Sequence, residues 1–272
     1  MVIERADTWA EQLWKTASKD WINRTQDNNY RNYLVRPALE DELSSICTDR
    51  GTLVDIGCGD GKGTYVLTEI LRNKGFRNFY GFDSNKEFIN SAKDSFKEIV
   101  FDEGDFSELN RRYSLVEHVD LVTSLFVLQD TPAIKNLIKN VYELLKIKGS
   151  FLSLIVHPQF AEILLKKRAI KLKKGLKKDK EDDYIFAGRY PITEPGRPPF
   201  FVPYFHRNLS DYIRMLEPHF HIESVRGLKP SRKLLEISQQ QKISPFYKEP
   251  YNVYWKEISE VPSSLIIRGV KK

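Results

Sequence analysis

The segment Leu53-Val54-Asp55-Ile56-Gly57-Cys58-Gly59-Asp60-Gly61-Lys62-Gly63 constrains this chain more than any other. An apolar strand runs into a turn with glycine at every other position and then into a helix-like stretch. Glycine tolerates φ > 0 and lets backbone approach a ligand closely. An acid, Asp55, stands near the end of the strand. The pattern reads as a nucleotide-type ligand site at the carboxyl end of a parallel strand.

Two familiar ligands are excluded by the residues that follow. The dinucleotide fingerprint needs a third glycine where Lys62 stands, and the phosphate loop needs Ser or Thr after Gly-Lys, where Gly63 stands. Further on, Asn78-Phe79-Tyr80-Gly81-Phe82-Asp83-Ser84 is a second apolar strand ending in an acid. A carboxylate at Asp83 can accept both hydroxyls of a ribose. A glycine turn and a ribose acid without phosphate-binding chemistry suit a nucleoside that lacks a pyrophosphate.

The rest of the chain has the rhythm of an α/β protein. Trp9, Leu13 and Trp14, then Leu34, Ala38, Leu39, Leu43 and Ile46, fall at helical spacing in the first fifty residues. Strands are expected at 52–57, 77–82, 98–102, 118–124 and 150–156. Helices alternate with them, one after Gly63, one from Lys86, and one from Thr131-Pro132 to near Lys148-Gly149. In that last helix Thr131 is expected to cap and Pro132 to take the first position. Residues 158–205 break the alternation with a basic run, an acidic patch at 179–183 and a proline-rich stretch at 191–203, which marks a functional insertion. A helix over 208–216, with Asn208 or Ser210 as cap, precedes two final strands at 219–228 and 263–271. Strands alternating with helices give a doubly wound, mostly parallel, seven-stranded Rossmann-like sheet, here with an antiparallel last strand. The expected organisation is an N-terminal helical cap over residues 1–50 and a domain over 51–272 that carries the insertion after its fifth strand.

Five ordered elements resemble the class I S-adenosylmethionine-dependent methyltransferases, in the broad group acting on small molecules. They are Val54-Asp55-Ile56-Gly57-Cys58-Gly59-Asp60-Gly61, Gly81-Phe82-Asp83-Ser84, Gly104-Asp105-Phe106, the run Val119 to Leu128, and Leu144-Leu145-Lys146-Ile147-Lys148-Gly149-Ser150. They cover roughly residues 50 to 157, with a looser match beyond. The resemblance implies S-adenosylmethionine as cofactor and no metal. It implies that Asp55 orders the glycine loop and holds the cofactor ammonium. Gly57 and Gly59, with the small Cys58 between them, then meet its methionine and ribose part, and Asp83 takes the ribose hydroxyls. Ser84 and Phe88 flank the adenine, Asp105 accepts from its amino group and the Phe106 backbone lies close to the ring. Ser124 and Leu125 run under the methionine portion, and Tyr33 joins this cofactor set. Tyr30, Gln129 and Arg207 are expected toward substrate.

Methyl transfer from a sulfonium needs mostly orientation and exclusion of water, but an acceptor hydroxyl also gains from a general base. His157 and His206 are the candidates, each at the mouth of the expected sheet. The residues leave plainer alternatives open: structural histidines, a helix cap at Ser84 or Asp130, a compact filler at Cys58, a surface role for Arg207.

Composition bounds the partners. The 272 residues are 41% hydrophobic and 29% charged, with a net charge of +6. No run reaches the ~18 apolar residues of a membrane span, and the N-terminus lacks a signal-peptide core, so a cytoplasmic location is the default expectation. The two cysteines make neither a disulfide framework nor a metal set. The lysine run from Lys166 to Lys180 permits a nucleic-acid partner, but no RNA-binding appendage accompanies it. A small-molecule methyl acceptor is the leading expectation; the alternatives are an RNA methyltransferase or a non-catalytic cofactor-binding regulatory or scaffold protein. Aromatic residues of the insertion favour an apolar or aromatic acceptor. Oligomeric state is not legible.

Overall fold

The computed structural model describes residues 4–24, 29–104, 106–168, 176–177, 183–194, 197–241 and 261–272. The chain begins with β1 (Glu4–Arg5), α1 (Ala6–Arg24), a π-helical turn (Arg31–Val35) and α2 (Arg36–Glu42). The sheet region follows as β2 (Gly51–Ile56), α3 (Lys62–Arg72), β3 (Phe76–Asp83), α4 (Lys86–Ser95), β4 (Val100–Glu103), α5 (Phe106–Tyr113), β5 (Val119–Leu125), α6 (Ile134–Leu144) and β6 (Leu145–Val156). Beyond it come α7 (Pro158–Arg168), β7 (Leu176–Lys177), β8 (Phe186–Glu194), β9 (Arg197–His206), α8 (Leu209–Leu216), β10 (Phe220–Leu228), α9 (Arg232–Gln241) and β11 (Ser264–Lys271).

Seven strands form the main sheet in the order β10-β11-β6-β5-β2-β3-β4. β11 runs antiparallel to both neighbours, and the remaining β2–β6 pairings are parallel. Every residue of β2 is buried, as required of a strand covered on both faces. The chain leaves β2 toward β3 and β4, then returns to build β5 and β6 on the other side. That reversal opens a crevice at the carboxyl ends of β2 and β5, where ligands of doubly wound sheets bind. Helices close the faces with apolar stripes at helical spacing: Val66, Leu67, Ile70 and Leu71 on α3, and Ile134, Ile138, Val141 and Leu144 on α6.

Beyond α7 and β7, the described residues before α8 form a long antiparallel hairpin. β8 and β9 pair from Phe186↔His206 to Glu194↔Arg197. One face of it (Tyr190, Ile192, Phe200, Val202 and Tyr204) packs with Ala17 of α1 and with Val156, Phe160 and Ala161, while Trp14 and Trp21 lean on that cluster. Trp9, Ala10 and Leu13 bury another stripe of α1 against Tyr184, Ala187 and Phe205. Arg24 Nη1 donates to Pro198 O at 2.7 Å. Helix α1 and the hairpin thus make one roof.

Three local expectations are corrected. The helix after Thr131-Pro132 starts at Ile134, and Thr131 does not cap it: its hydroxyl donates to Val127 O at 3.0 Å. Both residues stay out of the helix because Arg207 Nη2 binds Thr131 O at 2.8 Å and Pro132 O at 2.6 Å. The cap comes from a distance, Asp183 Oδ2 accepting from Lys135 N at 3.3 Å. The same helix ends at Leu144, not at 148–149, because Leu145 turns extended and pairs with Val119. Finally, Asn85 rather than Ser84 caps α4, accepting from Glu87 N and Phe88 N. Asn208 caps α8 in a capping box with Asp211, as its spacing suggests. Most of the lysine run lies outside the described residues. Among the described residues no helix is long and apolar enough to cross a membrane.

Candidate functional site

Where β2 ends, the chain turns through Gly57 (φ +67) and Gly59 (φ +55). The Gly57 and Cys58 N–H groups both donate to Phe82 O, at 2.7 and 3.1 Å, which ties the turn to β3. A Cβ on Gly57 would lie 2.4 Å from Val127 Cγ2, whereas a Cβ on Gly59 would meet nothing within 4 Å. Packing therefore demands glycine at 57, and Gly59 presents bare backbone to open space.

Two carboxylates hold this turn. Asp55, 1% exposed, accepts from Thr64 Oγ1 at 2.6 Å and from Thr123 Oγ1 at 2.7 Å, so it staples β2 to α3 and β5. Asp83 accepts from Gly59 N at 3.0 Å through Oδ2 and from Asn85 N at 2.8 Å through Oδ1. Burial raises each of these acids to about 6, against the lowering effect of those hydrogen bonds. A carboxylate offers about four lone-pair sites; Asp83 has spent two, which leaves acceptors for a ligand's hydroxyl pair. Burial also pushes the Cys58 thiol well up, helped by the neighbouring Asp83, Asp55 and Asp60 charges. It is a protonated filler of the turn.

These groups border a cavity of about 600 Å³, inside the ~300–1,000 Å³ range of small-molecule sites. Asp83, Ser84, Asn85, Phe88 and Gly104 line it, as do Tyr30, Arg31 and Asp60. Burial lowers the Arg31 pKa, opposed by the charge of Asp60. Tyr30 shares its hydroxyl with Ser263 Oγ at 2.9 Å and Ser264 Oγ at 2.5 Å. From the roof, Trp14, Trp21, Tyr190, Ile192, Val202 and Tyr204 also line it, Trp14 lying edge-on to Phe88 with ring centroids 5.7 Å apart. The turn after β5 adds Gln129 and Asp130.

The cavity gathers most of the residues singled out in the sequence: Tyr30, Asp55, Gly57, Cys58, Gly59, Asp83, Ser84, Phe88, Leu125 and Gln129. Asp105 lies outside the described residues, and Phe106 opens α5. Five others do not line it. Tyr33 packs against the core with Lys233 Nζ 4.8 Å over its ring. Ser124 is fully buried inside the sheet. Arg207 is fully buried too, and its guanidinium is spent on Asp183 Oδ1 at 2.6 Å, on Leu128 O at 3.1 Å and on the Thr131 and Pro132 carbonyls. It clamps the hairpin to the start of α6 and has no donor to offer a substrate. His206 is 2% exposed, stacked on Phe186 with ring centroids 4.6 Å apart, its ring nitrogens taken by Tyr204 and Glu162. His157 is half-buried beside the cavity rather than in its wall, and burial lowers its pKa. Neither histidine is placed to take a proton from a ligand in the cavity.

Other residues were missed. Thr64 and Thr123 gave no signal, because only the fold sets them on either side of Asp55. Trp14 reads as ordinary helical packing until the hairpin is seen to roof it, and Trp21 joins it for the same reason.

A reversing parallel sheet with a bare glycine turn and an acid at the next strand tip defines a nucleoside-binding α/β protein. Comparison with known proteins narrows this. A family model described as a methyltransferase domain matches residues 48–187, and the chain belongs to that family. A S-adenosylmethionine-dependent methyltransferase from Mesorhizobium loti is similar at a TM-score of 0.54 and 18% identity, over 86% of this chain and 96% of that one. The protein bound to the Trm112 methyltransferase activator of Haloferax volcanii is similar at 0.61 and 16%, over 97% and 96%. The geranyl diphosphate C-methyltransferase of Streptomyces coelicolor, solved with Mg2+, a substrate analogue and S-adenosyl-L-homocysteine, is similar at 0.53 and 13%, over 87% and 76%. No curated protein sequence matches the chain significantly. The chain is thus a methyltransferase by family, and it shares its fold with S-adenosylmethionine-dependent enzymes.

The residues present suit that cofactor. The open space at Gly59 admits a ligand against backbone, and Asp83 retains acceptors for a ribose.

Proposed function

We propose that this methyltransferase acts on a small, apolar or aromatic molecule, with the cofactor seated on the glycine turn. In this reading Asp83 receives the ribose hydroxyls, Ser84 and Phe88 border the adenine, and the backbone at Gly57 and Gly59 meets the ribose and methionine part. Asp55 acts by stapling the turn in place, and Arg31 faces the methionine carboxylate. When bound, the cofactor supplies an electrophilic methyl group on a sulfonium. The chain's own contribution is orientation and a water-excluding enclosure.

One observation carries the small-molecule reading: α1 and the β8–β9 hairpin roof the cavity, and their aromatic side chains line it. An RNA strand needs an open basic groove. Among the described residues the acidic and basic lining comprises six acids (Asp7, Glu11, Asp55, Asp60, Asp83, Asp130) and two cations, Lys15 and Arg31. The geranyl diphosphate C-methyltransferase among the structural neighbours takes a small acceptor by its name, which accords with this.

The test is to supply labelled S-adenosylmethionine with a metabolite extract or with total RNA. Label is expected in the small-molecule fraction. Label confined to RNA, with binding that falls steeply as salt rises, rejects the reading.

A further inference from the structure

Resting on the cofactor seating proposed above, we propose that Phe126 is a cofactor-recognition residue. Its ring borders the sulfonium and lets the seat distinguish the charged methyl donor from the neutral thioether that remains after transfer.

The backbone singles this residue out. Phe126 follows β5 directly and has φ +61. A bulky side chain at positive φ is an outlier. Such strain persists where the surroundings over-determine it, and it clusters at ligand sites. Five non-glycine residues have positive φ among the described residues, and of these Phe126 alone lines the cavity. Both of its backbone polar groups are fastened. Its N–H donates to Leu154 O of β6 at 2.6 Å, and its carbonyl accepts from Gln129 Nε2 at 2.6 Å. Gln129 is itself 4% exposed, so that carbonyl is held by a side chain with little room to move.

The neighbours fix where the ring goes. A Cβ on Gly63 would lie 3.1 Å from Leu125 Cδ1, and one on Gly57 would lie 2.4 Å from Val127 Cγ2. The residues on either side of Phe126 therefore rest on the glycine turn and the first turn of α3. Phe126 itself is half-buried and packs both on the sheet's core and on the hairpin cluster. Its ring centroid lies 6.4 Å from that of Tyr30, which also lines the cavity and is anchored by Ser263 and Ser264. The ring thus stands where the cofactor seat meets the roofed space. With the ribose on Asp83 and the carboxylate facing Arg31, the sulfur that joins them falls between, over Gly57 and Gly59 and beside this ring.

The chemistry suits that place. The face of an aromatic ring attracts a cation within about 6 Å of its centre, most strongly when the pair is desolvated. Methyl transfer turns the sulfonium into a neutral thioether and leaves the adenosine and amino-acid ends unchanged. Asp83, Arg31 and the glycine backbone meet those ends alike in both forms. The ring attracts only the charged form, so its hold weakens once the methyl group is gone, which favours exchange of spent cofactor for fresh. The carboxylates of the cavity also favour the cation; a substitution at Phe126 leaves those charges in place and reads the ring alone.

The test is calorimetry on the full chain without acceptor, with S-adenosylmethionine and S-adenosylhomocysteine as the two ligands. Phe126→Leu keeps an apolar side chain at the same strained position and removes the aromatic face. Affinity for S-adenosylmethionine relative to S-adenosylhomocysteine is expected to fall about five-fold, a difference of ~1 kcal/mol. An unmoved ratio, whether both affinities hold or both fall together, makes Phe126 a packing residue and overturns this inference alone. If the leucine variant does not fold, 3,4,5-trifluorophenylalanine placed at 126 by stop-codon suppression keeps the ring's shape and draws negative charge from its face. S-adenosylmethionine should then bind more weakly and S-adenosylhomocysteine as before; unchanged binding of both overturns the inference. Failure of the unaltered protein to bind either ligand overturns the seating and the inference with it.

Discussion

Replacing Asp55 by asparagine should make the ligand-free protein more stable at neutral pH. Asp55 is 1% exposed, and burial raises its carboxyl from an ordinary 3.8 to about 6. The folded state therefore holds the proton more tightly than the unfolded chain does. Stability contributed by this group is full below about 4, falls as pH rises from about 4 to 6, and is flat above that. At 1.36 kcal/mol per pH unit, the loss is ~3 kcal/mol. Asparagine carries no charge and so escapes it. Its Oδ1 can accept from one threonine hydroxyl while its Nδ2 donates to the other, since Thr64 and Thr123 hydroxyls serve in either sense. The exchange forfeits a charge-assisted hydrogen bond, ~1–2 kcal/mol, leaving a net gain of ~1–2 kcal/mol above pH 7. Urea unfolding of both proteins between pH 4.5 and 8 reads this directly. The difference between them should grow in the variant's favour as pH rises and level off above about 6. A variant less stable than the parent at pH 8, or two parallel pH profiles, refutes the claim that Asp55 is a buried charge held against its preference.

Other substitutions probe the remaining parts of the site. Gly57→Ala places a Cβ 2.4 Å from Val127 Cγ2 at a φ of +67, and the left-handed backbone alone costs ~1–2 kcal/mol; thermal unfolding should show the loss, with S-adenosylhomocysteine bound more weakly. Because neither histidine lines the cavity, His157→Ala should lower turnover by less than about three-fold, where loss of a general base costs ~100–10,000-fold; steady-state rates across pH decide. Arg207→Met takes the arginine donor from Asp183 Oδ1 and from four backbone carbonyls (Leu128, Thr131, Pro132 and Phe205), and should destabilise by ~3–5 kcal/mol in denaturant titration. A variant of that kind that folds normally but binds substrate poorly would restore Arg207 to the substrate.

What could be read in the sequence and what could not divide along sequence distance. Asp55, the glycines and Asp83 were legible because the chain itself sets them at a strand tip, where one local pattern implies one geometry. The sheet followed from apolar runs separated by amphipathic helices. Asn85 was passed over for Ser84, one residue away, because either can begin an Asx or serine cap and only backbone angles choose. Thr131-Pro132 carry a sound local signal for a helix start, and Arg207, seventy-five residues on from Pro132, overrides it by binding their carbonyls. Leu145 continues a helical stripe in sequence, yet it pairs with Val119 once the sheet exists. His206 and Arg207 looked like site residues because they follow the insertion. Only the hairpin's register shows that His206 faces Phe186 and that Arg207 is buried beneath Asp183. Trp14, Trp21 and the hairpin aromatics meet across a fold that no single segment specifies.

The most direct test is a crystal structure of the protein grown with S-adenosylhomocysteine. The ribose hydroxyls should lie within hydrogen-bond distance of both Asp83 oxygens, the ligand should pass over Gly59, and space beside Tyr190 and Tyr204 should remain for an acceptor. A glycine turn left empty, or a ribose that makes no contact with Asp83, would contradict the account.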